Sequence, residues 1–321
     1  MKTVNIAVLS AWHVHTEEYA RELQSIPGIC VKCLWDDDQE RGQAMADKLG
    51  IAYAADLEAV MRDDSIGAVQ ITTQTSLHGE VMLRAAEVGK HIFTEKVLTI
   101  DPAEGERVLQ AVKNSGICFA ISFPHLCRPA LLEAKRLVDS GEVGQVGYAR
   151  VRNAHNGAVA GWLPDRFYDP EACGGGAMID PGAHPMYTLL WLLGEPVHVQ
   201  SLFTSMTGKP VEDNAVSLLQ YANGAIGVSE TGFVSDYSPY TLEVSGTKGA
   251  ILVRDKQLSY VSEATDSKWV QADAMPAAPP SPLRQWAAAV LTEDPGREDC
   301  GDFGVEPAMR LTRLMAQAYG K

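Results

Sequence analysis

Long apolar runs, a cysteine framework and an excess of positive charge are all missing from this chain of 321 residues. The richest apolar run, residues 189–193, is far too short to cross a bilayer, which needs about 20 apolar residues. The apolar stretch at residues 4–11 is followed by His13 before it reaches the length of a secretory signal. These absences predict no membrane partner and a cytoplasmic location.

Acidic residues outnumber basic ones, and the formal net charge is -14 at pH 7. Such a chain repels the phosphates of nucleic acids and anionic membranes, so neither is an expected partner. The six cysteines are Cys30, Cys33, Cys118, Cys127, Cys173 and Cys300. Cys30 and Cys33 have the spacing of a metal-binding pair, but in a predicted strand residues three apart point to opposite faces. We expect reduced thiols and no disulfide framework.

The length of 321 residues favours two domains. Residues 1–122 alternate short apolar runs with helical segments, which predicts a doubly wound parallel sheet of the Rossmann type. The predicted strands are residues 4–10, 29–35, 51–54, 66–72, 90–94 and 117–123, and the predicted helices are residues 17–25, 39–49, 56–61, 78–88 and 102–114. In such a fold the ligand binds at the carboxyl ends of the strands.

Residues 123–321 have a different character, because strand-like runs dominate from residue 146 onward. Those runs are residues 146–152, 197–203, 214–221, 225–232, 241–245 and 250–254. Asn223 and Gly224 form a strong hairpin signal between two of them, and helices are expected at 283–291 and 306–319. The pattern predicts an α+β domain with a mostly antiparallel sheet.

Asp36 ends the second predicted strand, where a doubly wound fold places the acid that holds the ribose hydroxyls of a dinucleotide. Asp37 and Asp38 follow, and their carboxylates would repel a 2′-phosphate, so NAD is favoured over NADP. The alternative is a solvated acidic turn that caps the next helix. The usual glycine fingerprint is missing: no glycine precedes Gly28, and residues 10–15 stand in its place.

Residues 174–184 carry the most informative motif, a glycine run followed by Asp180, Pro181 and His184. Asp180 is the expected N-cap of an apolar helix that begins at Pro181 and is terminated by Gly194. A loop that delivers a carboxylate and an imidazole to the open end of a helix is suited to proton transfer. The alternative is that Asp180 only caps the helix and His184 only packs.

An ordered set of motifs along nearly the whole chain resembles the glucose–fructose oxidoreductase / inositol dehydrogenase / MocA family. The motifs are Leu77-His78, Ala85-Ala86, Gly89-Lys90-His91, Glu95-Lys96-Val97 and residues 123–129, 140–144, 174–184, 212–215 and 246–249. The resemblance implies a second domain with a large open sheet and helices on one face. It also implies oxidation or reduction of a secondary alcohol of a sugar, cyclitol or related polyol with NAD(P).

By the same resemblance, Lys96, Asp180 and His184 are the catalytic residues and Asp36 is the ribose-binding acid. His184 would be the general base. The nearby helix N-terminus disfavours an imidazolium by about 0.3–1 kcal/mol, which is less than one pKa unit. Lys96 would stabilise the developing alkoxide, and Asp180 would orient His184 or bind a second hydroxyl group.

Three features depart from the family: the glycine fingerprint is absent, Val97 replaces a proline, and Tyr187 stands where a second aspartate often follows the histidine. The predicted cofactor-binding residues are Ser10, Ala11, Trp12, His13, Asp36, Thr72, Thr73, His78, Glu95 and Lys96. The predicted substrate-binding residues are His125, His155, Trp162 and Tyr168. No metal site is predicted, because His125, His155 and His184 lack the spacing of a ligand set.

Three functions remain open. The first is an NAD-dependent sugar or cyclitol dehydrogenase. The second is a redox-neutral glycoside hydrolase or epimerase-like enzyme that retains NAD and recycles the hydride. The third is a sugar-binding or regulatory protein that has lost the cofactor together with the glycines.

Apolar residues occupy positions of both parities in the predicted strands of the second domain, whereas a sheet with one wet face should alternate cleanly. The extra apolar positions are Leu202, Val216, Leu218, Ile226 and Val228. A patch of that size needs cover, so we predict a homodimer or homotetramer that packs sheet faces together. The alternative is that helices of the same chain cover both faces.

Overall fold

The computed structural model describes residues 3–272, 274–292 and 300–321, and it divides into two compact units. Unit 1 comprises the described residues of Met1–Ser122 and Pro280–Thr312, and unit 2 comprises those of Phe123–Pro279 and Arg313–Lys321. Among the described residues, no helix is long and apolar enough to cross a membrane.

Unit 1 contains a parallel sheet of six strands in the order β3-β2-β1-β4-β5-β6. The strands are β1 (Val4–Leu9), β2 (Ile29–Trp35), β3 (Ala52–Ala54), β4 (Ile66–Ile71), β5 (His91–Thr94) and β6 (Phe119–Ile121). The intervening helices are α1 (Thr16–Gln24), α2 (Gln39–Leu49), α3 (Leu57–Arg62), α4 (His78–Glu87) and α5 (Pro102–Ser115). This order confirms the predicted doubly wound sheet, with the switch point between β1 and β4.

Unit 2 contains an eight-stranded sheet in the order β14-β13-β12-β11-β7-β10-β9-β8. Its strands are β7 (Val146–Ala154), β8 (His198–Thr204), β9 (Asn214–Gln220), β10 (Ile226–Gly232), β11 (Thr241–Gly246), β12 (Ala250–Arg254), β13 (Gln257–Val261) and β14 (Val270–Gln271). Its helices are α6 (Pro129–Asp139), α7 (Gly157–Ala160), α8 (Pro170–Cys173) and α9 (Ala183–Leu193). Only the β7–β10 pair is parallel in this sheet of the described chain, which confirms a mostly antiparallel sheet.

Helices α6 and α9 pack on one face of the unit 2 sheet. On the other face, Leu202 is 66% exposed and Leu218 is 47% exposed. The prediction that Val228 needs external cover is wrong, because Val228 is only 8% exposed and lies in register between Leu218 and Arg150. Salt bridges of Glu230 with Arg150 and Arg152 cross the centre of this face. The apolar surface of this face therefore lies away from these three charged residues.

Two helices follow the second sheet, α10 (Pro282–Leu291) and α11 (Val305–Ala318). The sequence analysis placed residues 123–321 in one domain, but α10 belongs to unit 1 in the structure. Trp286 is fully buried, its indole N–H donates to the Cys118 carbonyl oxygen at 3.3 Å, and its ring lies 5.7 Å from that of Phe93. Burial of this apolar side chain against β5 and β6 stabilises the late segment on the first sheet.

Candidate functional site

Asp36 lies just after β2 and is buried. Its carboxylate accepts hydrogen bonds from the Ala11 N–H at 2.5 Å, the Ser10 hydroxyl at 3.1 Å and the Asp38 N–H at 2.8 Å, and it pairs with the Arg41 guanidinium. Burial opposes ionisation, but Arg41 and the backbone N–H groups outweigh it and lower the pKa of Asp36. The capping alternative holds for Asp38, whose side chain accepts from the Arg41 N–H, whereas Asp36 joins β2 to the loop after β1.

The loop at residues 10–15 adopts a glycine-like turn without glycine, because Ser10 has a φ of 79°. The Thr72 hydroxyl donates to the Ser10 carbonyl oxygen at 2.7 Å, and the Trp12 N–H donates to the Ser10 hydroxyl oxygen at 3.0 Å. The His13 N–H donates to the Thr72 carbonyl oxygen at 3.1 Å. Two hydrogen bonds of Thr72 therefore fix the loop to the end of β4.

His13, His15 and Glu95 converge at the carboxyl ends of β1 and β5, and their potential ligand atoms lie within 4.8 Å of one another. The His15 Nδ1 lies 3.0 Å from the Glu95 Oε1, and the Tyr19 hydroxyl donates to the same oxygen. Burial opposes ionisation of Glu95, but the neighbouring histidines and Lys96 keep its pKa well below the usual range. Sequence reasoning missed His15; the close spacing of His13 and His15 was visible, but their approach to Glu95 was not.

Lys96 lies two residues beyond β5, at the carboxyl end of a strand as predicted, and it is buried. Its N–H donates to the Glu95 Oε2 at 2.9 Å. The His78 ring bridges the loops after β4 and β5, because its two nitrogens lie 3.2 Å from the Thr73 carbonyl oxygen and 2.8 Å from the Val97 carbonyl oxygen. Burial is the largest influence on His78 and lowers its pKa.

In unit 2, Asp180 and His184 are the two partly exposed residues in the otherwise buried segment 175–190. The predicted helix start is wrong: α9 begins at Ala183 with Gly182 as its N-cap, so Asp180 does not cap it. A Cβ at Gly182 would lie 2.4 Å from the Met178 carbonyl oxygen, which shows how tightly the preceding turn is folded. The end of the helix at Gly194 and the position of His184 in its first turn are confirmed.

The His184 imidazole is held among aromatic side chains. Its ring stacks on that of His125, with centroids 4.2 Å apart and an interplanar angle of 19°. Its Nδ1 lies 2.8 Å from the Tyr187 hydroxyl oxygen, which also accepts the His125 N–H at 3.1 Å. Tyr187 is buried and stacks on Phe123. Tyr187, which stands where the family often has an aspartate, therefore fixes the His184 ring.

Glu212 organises the glycine-rich loop that precedes Asp180. Its Oε1 accepts the Gly176 and Met178 N–H groups, both at 2.9 Å, and the Tyr319 hydroxyl at 2.6 Å. A Cβ at Gly176 would lie 2.1 Å from the Glu212 carbonyl oxygen, so this close approach requires glycine. Sequence reasoning recognised residues 212–215 as a motif but did not identify this role.

We expect Glu212→Ala to lower the free energy of unfolding by about 2–4 kcal/mol, because three donors lose a charged acceptor. Urea unfolding measures the change. Glu212→Gln retains an acceptor oxygen and should cost less. The exposed Glu171 provides the control as Glu171→Ala. Equal stability of the Glu212→Ala protein and the unsubstituted protein would show that the loop does not depend on this carboxylate.

The predicted substrate-binding residues fall into two groups within unit 2. His125 stacks on His184, as described above. The His155 ring lies 4.7 Å from that of Trp162 and 5.1 Å from that of Phe233, and the Tyr168 ring meets Phe233 edge-on at 6.1 Å. Trp162 is 53% exposed, whereas Tyr168 is buried. Trp162 thus presents an apolar ring to solvent, and its role in substrate binding stays a prediction.

Two family profiles match the chain: residues 6–123 match an oxidoreductase family with an NAD-binding Rossmann fold, and residues 131–252 match the GFO/IDH/MocA C-terminal domain. A scyllo-inositol 2-dehydrogenase (NAD(+)) of Bacillus subtilis is 31% identical over 258 residues, which are 78% of this chain and 73% of that protein. The chain belongs to the GFO/IDH/MocA oxidoreductase family. This confirms the resemblance, the NAD-binding fold and the oxidoreductase class.

Other relatives lie in the same family. Levoglucosan dehydrogenase of Pseudarthrobacter phenanthrenivorans is 27% identical over 250 residues, which are 67% of this chain and 63% of that protein. A solved levoglucosan dehydrogenase in complex with NADH superimposes with a TM-score of 0.86 at 20% identity, covering 99% of this chain and 96% of the other. At that identity the superposition supports the fold alone.

Proposed function

We propose that this protein is an NAD-dependent dehydrogenase that oxidises or reduces a secondary alcohol of a sugar, cyclitol or related polyol. The observation that carries the proposal is the partial exposure of Asp180 and His184 within a buried segment, at the positions of the family's catalytic motif. Lys96, two residues beyond β5, is the third residue that the resemblance makes catalytic. The named relatives are dehydrogenases of scyllo-inositol and levoglucosan, which supports this substrate class.

The residues of unit 1 fit a dinucleotide. The ionised Asp36 carboxylate after β2 suits a ribose diol, and the φ of 79° at Ser10 supplies the turn that glycine otherwise provides. Asp36, Ser10, Ala11 and Thr72 would hold the cofactor at the carboxyl ends of the strands. When bound, the nicotinamide accepts or returns the hydride.

The chain's own residues would supply the proton chemistry. His184 accepts the proton of the alcohol, and the contact of 2.8 Å between its Nδ1 and the Tyr187 hydroxyl orients the imidazole. Asp180 binds a second hydroxyl group or orients the imidazole. Lys96 donates a hydrogen bond to the reacting oxygen and stabilises the developing alkoxide.

A polyol screen with NAD tests the proposal, with scyllo-inositol and levoglucosan among the substrates and NADH absorbance as the signal. Net NADH formation supports a dehydrogenase. Turnover without net NADH, by protein that retains nicotinamide, would instead identify a redox-neutral enzyme. Failure to bind either nicotinamide cofactor would favour the sugar-binding protein and overturn the proposal.

We expect NADP to bind at least about 10-fold more weakly than NAD, since a difference of about 1.4 kcal/mol in like-charge repulsion gives that ratio. Asp36 and Asp37 supply the repulsion, and Arg41 is already paired with both. Calorimetric titration with each cofactor measures the ratio. Asp37→Asn should bring the affinities for NAD and NADP closer together. Asp266→Asn, at an exposed position, is the matched control and should not change their ratio. Equal or tighter NADP binding would contradict the assignment.

We also propose that the protein is a homodimer or homotetramer assembled through the open face of the unit 2 sheet. Leu202, Leu218 and Ile226 are 66%, 47% and 48% exposed on that face. We expect light scattering at micromolar concentration to give a multiple of the 34.7 kDa chain mass. Leu218→Glu should shift the mass toward one chain, whereas the exposed Val159→Glu should not. A mass near one chain for the unsubstituted protein would reject the assembly.

A further inference from the structure

The side chains of His13, His15 and Glu95 form a cluster of metal-ligand type at the first loop of unit 1. The His13 Nδ1 and the His15 Nδ1 lie 3.9 Å and 3.0 Å from the Glu95 Oε1, and all three ligand atoms lie within 4.8 Å of one another. The His13 Nδ1 also accepts the His15 backbone N–H at 3.3 Å, and an ion bound there would replace that hydrogen bond. In a four-coordinate zinc site, bonds of about 2.0–2.1 Å place neighbouring ligand atoms about 3.3 Å apart. An ion would therefore require shifts of only about an ångström.

The backbone beneath the cluster is fixed. The His13 N–H donates to the Thr72 carbonyl oxygen, and the Thr16 hydroxyl donates to the His13 carbonyl oxygen at 2.8 Å. His15 is the N-cap residue of α1, so its position follows from the start of that helix. Both histidines thus reach Glu95 from an ordered loop, which limits the entropy lost on closing around an ion.

The carboxylate of the cluster is also held by neighbouring groups. The Tyr19 hydroxyl donates to the Glu95 Oε1 and lies 2.7 Å from the Ser122 hydroxyl, while the Lys96 N–H donates to the Oε2. Glu95 is 1% exposed. Hydrogen bonds of this kind orient the ligands of a metal site.

Charge favours an ion over two protonated imidazoles. The rings of His13 and His15 have centroids 4.8 Å apart, so two imidazolium charges would repel each other. A divalent ion places its charge between two neutral imidazoles and next to the buried Glu95 carboxylate. The His15 side chain is 40% exposed, which provides an entry path.

We propose that His13, His15 and Glu95 bind a divalent transition-metal ion, with Zn²⁺ as the ion that this donor set suits best. Two imidazole nitrogens and one carboxylate oxygen match zinc, whereas calcium and magnesium prefer oxygen ligands alone. Three protein ligands leave a fourth position for water or an anionic oxygen. The sequence analysis predicted no metal site, because it considered only His125, His155 and His184 together with the cysteine pair.

The test is calorimetric titration of chelator-treated, full-length protein with Zn²⁺. We expect one ion per chain, and we expect His13→Ala, His15→Ala and Glu95→Gln each to weaken binding by at least about 100-fold. Tyr19→Phe should weaken binding by about 10-fold, because it removes only a hydrogen bond to the ligand. Co²⁺ provides a second readout, since four-coordinate Co²⁺ absorbs visible light and the histidine variants should lose that absorption.

Two substitutions control for other zinc ligands. His198→Ala removes an exposed histidine of unit 2, and Cys30→Ser removes the exposed thiol of the Cys30–Cys33 pair. Both should bind Zn²⁺ as the unsubstituted protein does. Because His15 is partly exposed, the His15→Ala protein should fold even if the Glu95→Gln protein does not. Zn²⁺ should raise the Tm of the unsubstituted protein, and His15→Ala should abolish this rise, which tests the site without calorimetry.

Two results would overturn the proposal. One is the absence of stoichiometric Zn²⁺ and Co²⁺ binding by the unsubstituted protein. The other is binding that the His13 and His15 substitutions leave unchanged. The competing explanation is that the cluster binds anions, and titration of metal-free protein with inorganic pyrophosphate tests it. Pyrophosphate binding that depends on both histidines, without metal binding, would identify the cluster as an anion site.

Discussion

Replacement of His184 by alanine is expected to lower the turnover number by about 10²–10⁴-fold, because the alcohol proton loses its acceptor. The side chain is partly exposed in a segment whose other residues, apart from Asp180, are buried. The free energy of unfolding should fall by about 0.5–3 kcal/mol, because the stack on His125 and the contact with Tyr187 are lost, and the fold should survive. Steady-state kinetics on the alcohol identified by the screen, with urea unfolding of the same sample, measure both effects.

Two further variants test whether the loss of turnover is specific to the His184 imidazole. His198→Ala replaces an exposed histidine on β8 of the same unit and should leave turnover unchanged. Tyr187→Phe retains the aromatic ring and removes only the hydroxyl at 2.8 Å from the His184 Nδ1, so it should lower turnover by about 10-fold and shift the pH dependence of kcat. Near-native turnover of His184→Ala would show that another group accepts the proton.

The architecture of unit 1 was predictable because its strands β1, β4, β5 and β6 are largely buried and read as short apolar runs. The expected strand at 29–35 matches β2, and the expected strand at 66–72 matches β4 to within one residue. Parallel pairing followed from the helices between the strands. The role of Asp36 was also recognisable from its position. A sheet of this strand order places a ribose-binding acid at the end of its second strand, and Asp36 directly follows β2.

The start of α9 was not predictable from local signals. Asp180 and Pro181 are typical of a helix start, yet the helix begins at Ala183. Glu212, remote in sequence, accepts the Gly176 and Met178 N–H groups and sets the path of the loop. Such a tertiary interaction overrides a local capping preference and leaves Asp180 partly exposed for another role.

The pairing of distant elements was equally invisible. The sequence placed residues 123–321 in one domain because strand-like runs dominate there, but nothing local shows that the apolar face of α10 packs on β5 and β6. The convergence of His13 and His15 with Glu95 likewise depends on β1 and β5 ending at the same edge of the sheet. Once that order is known, the convergence of the two histidines with Glu95 follows from the parallel direction of the strands, whereas the packing of α10 does not.

Lys96→Met is expected to lower kcat by about 10²–10³-fold, because the developing alkoxide loses its hydrogen-bond donor. Methionine fills a similar volume at this buried position, and the backbone N–H that donates to Glu95 is retained. The effect should fall on kcat more than on KM, since the donor's interaction grows as negative charge develops on the oxygen.

Steady-state kinetics at saturating cofactor measure this separation of kcat from KM. Lys113→Met is the matched control in the same unit, because Lys113 is 46% exposed and paired with Glu306 on the surface. A variant that keeps a near-native kcat and shows only a raised KM would place Lys96 in ground-state binding. It would then leave His184 as the residue that carries the chemical step, and the alkoxide would require a different donor.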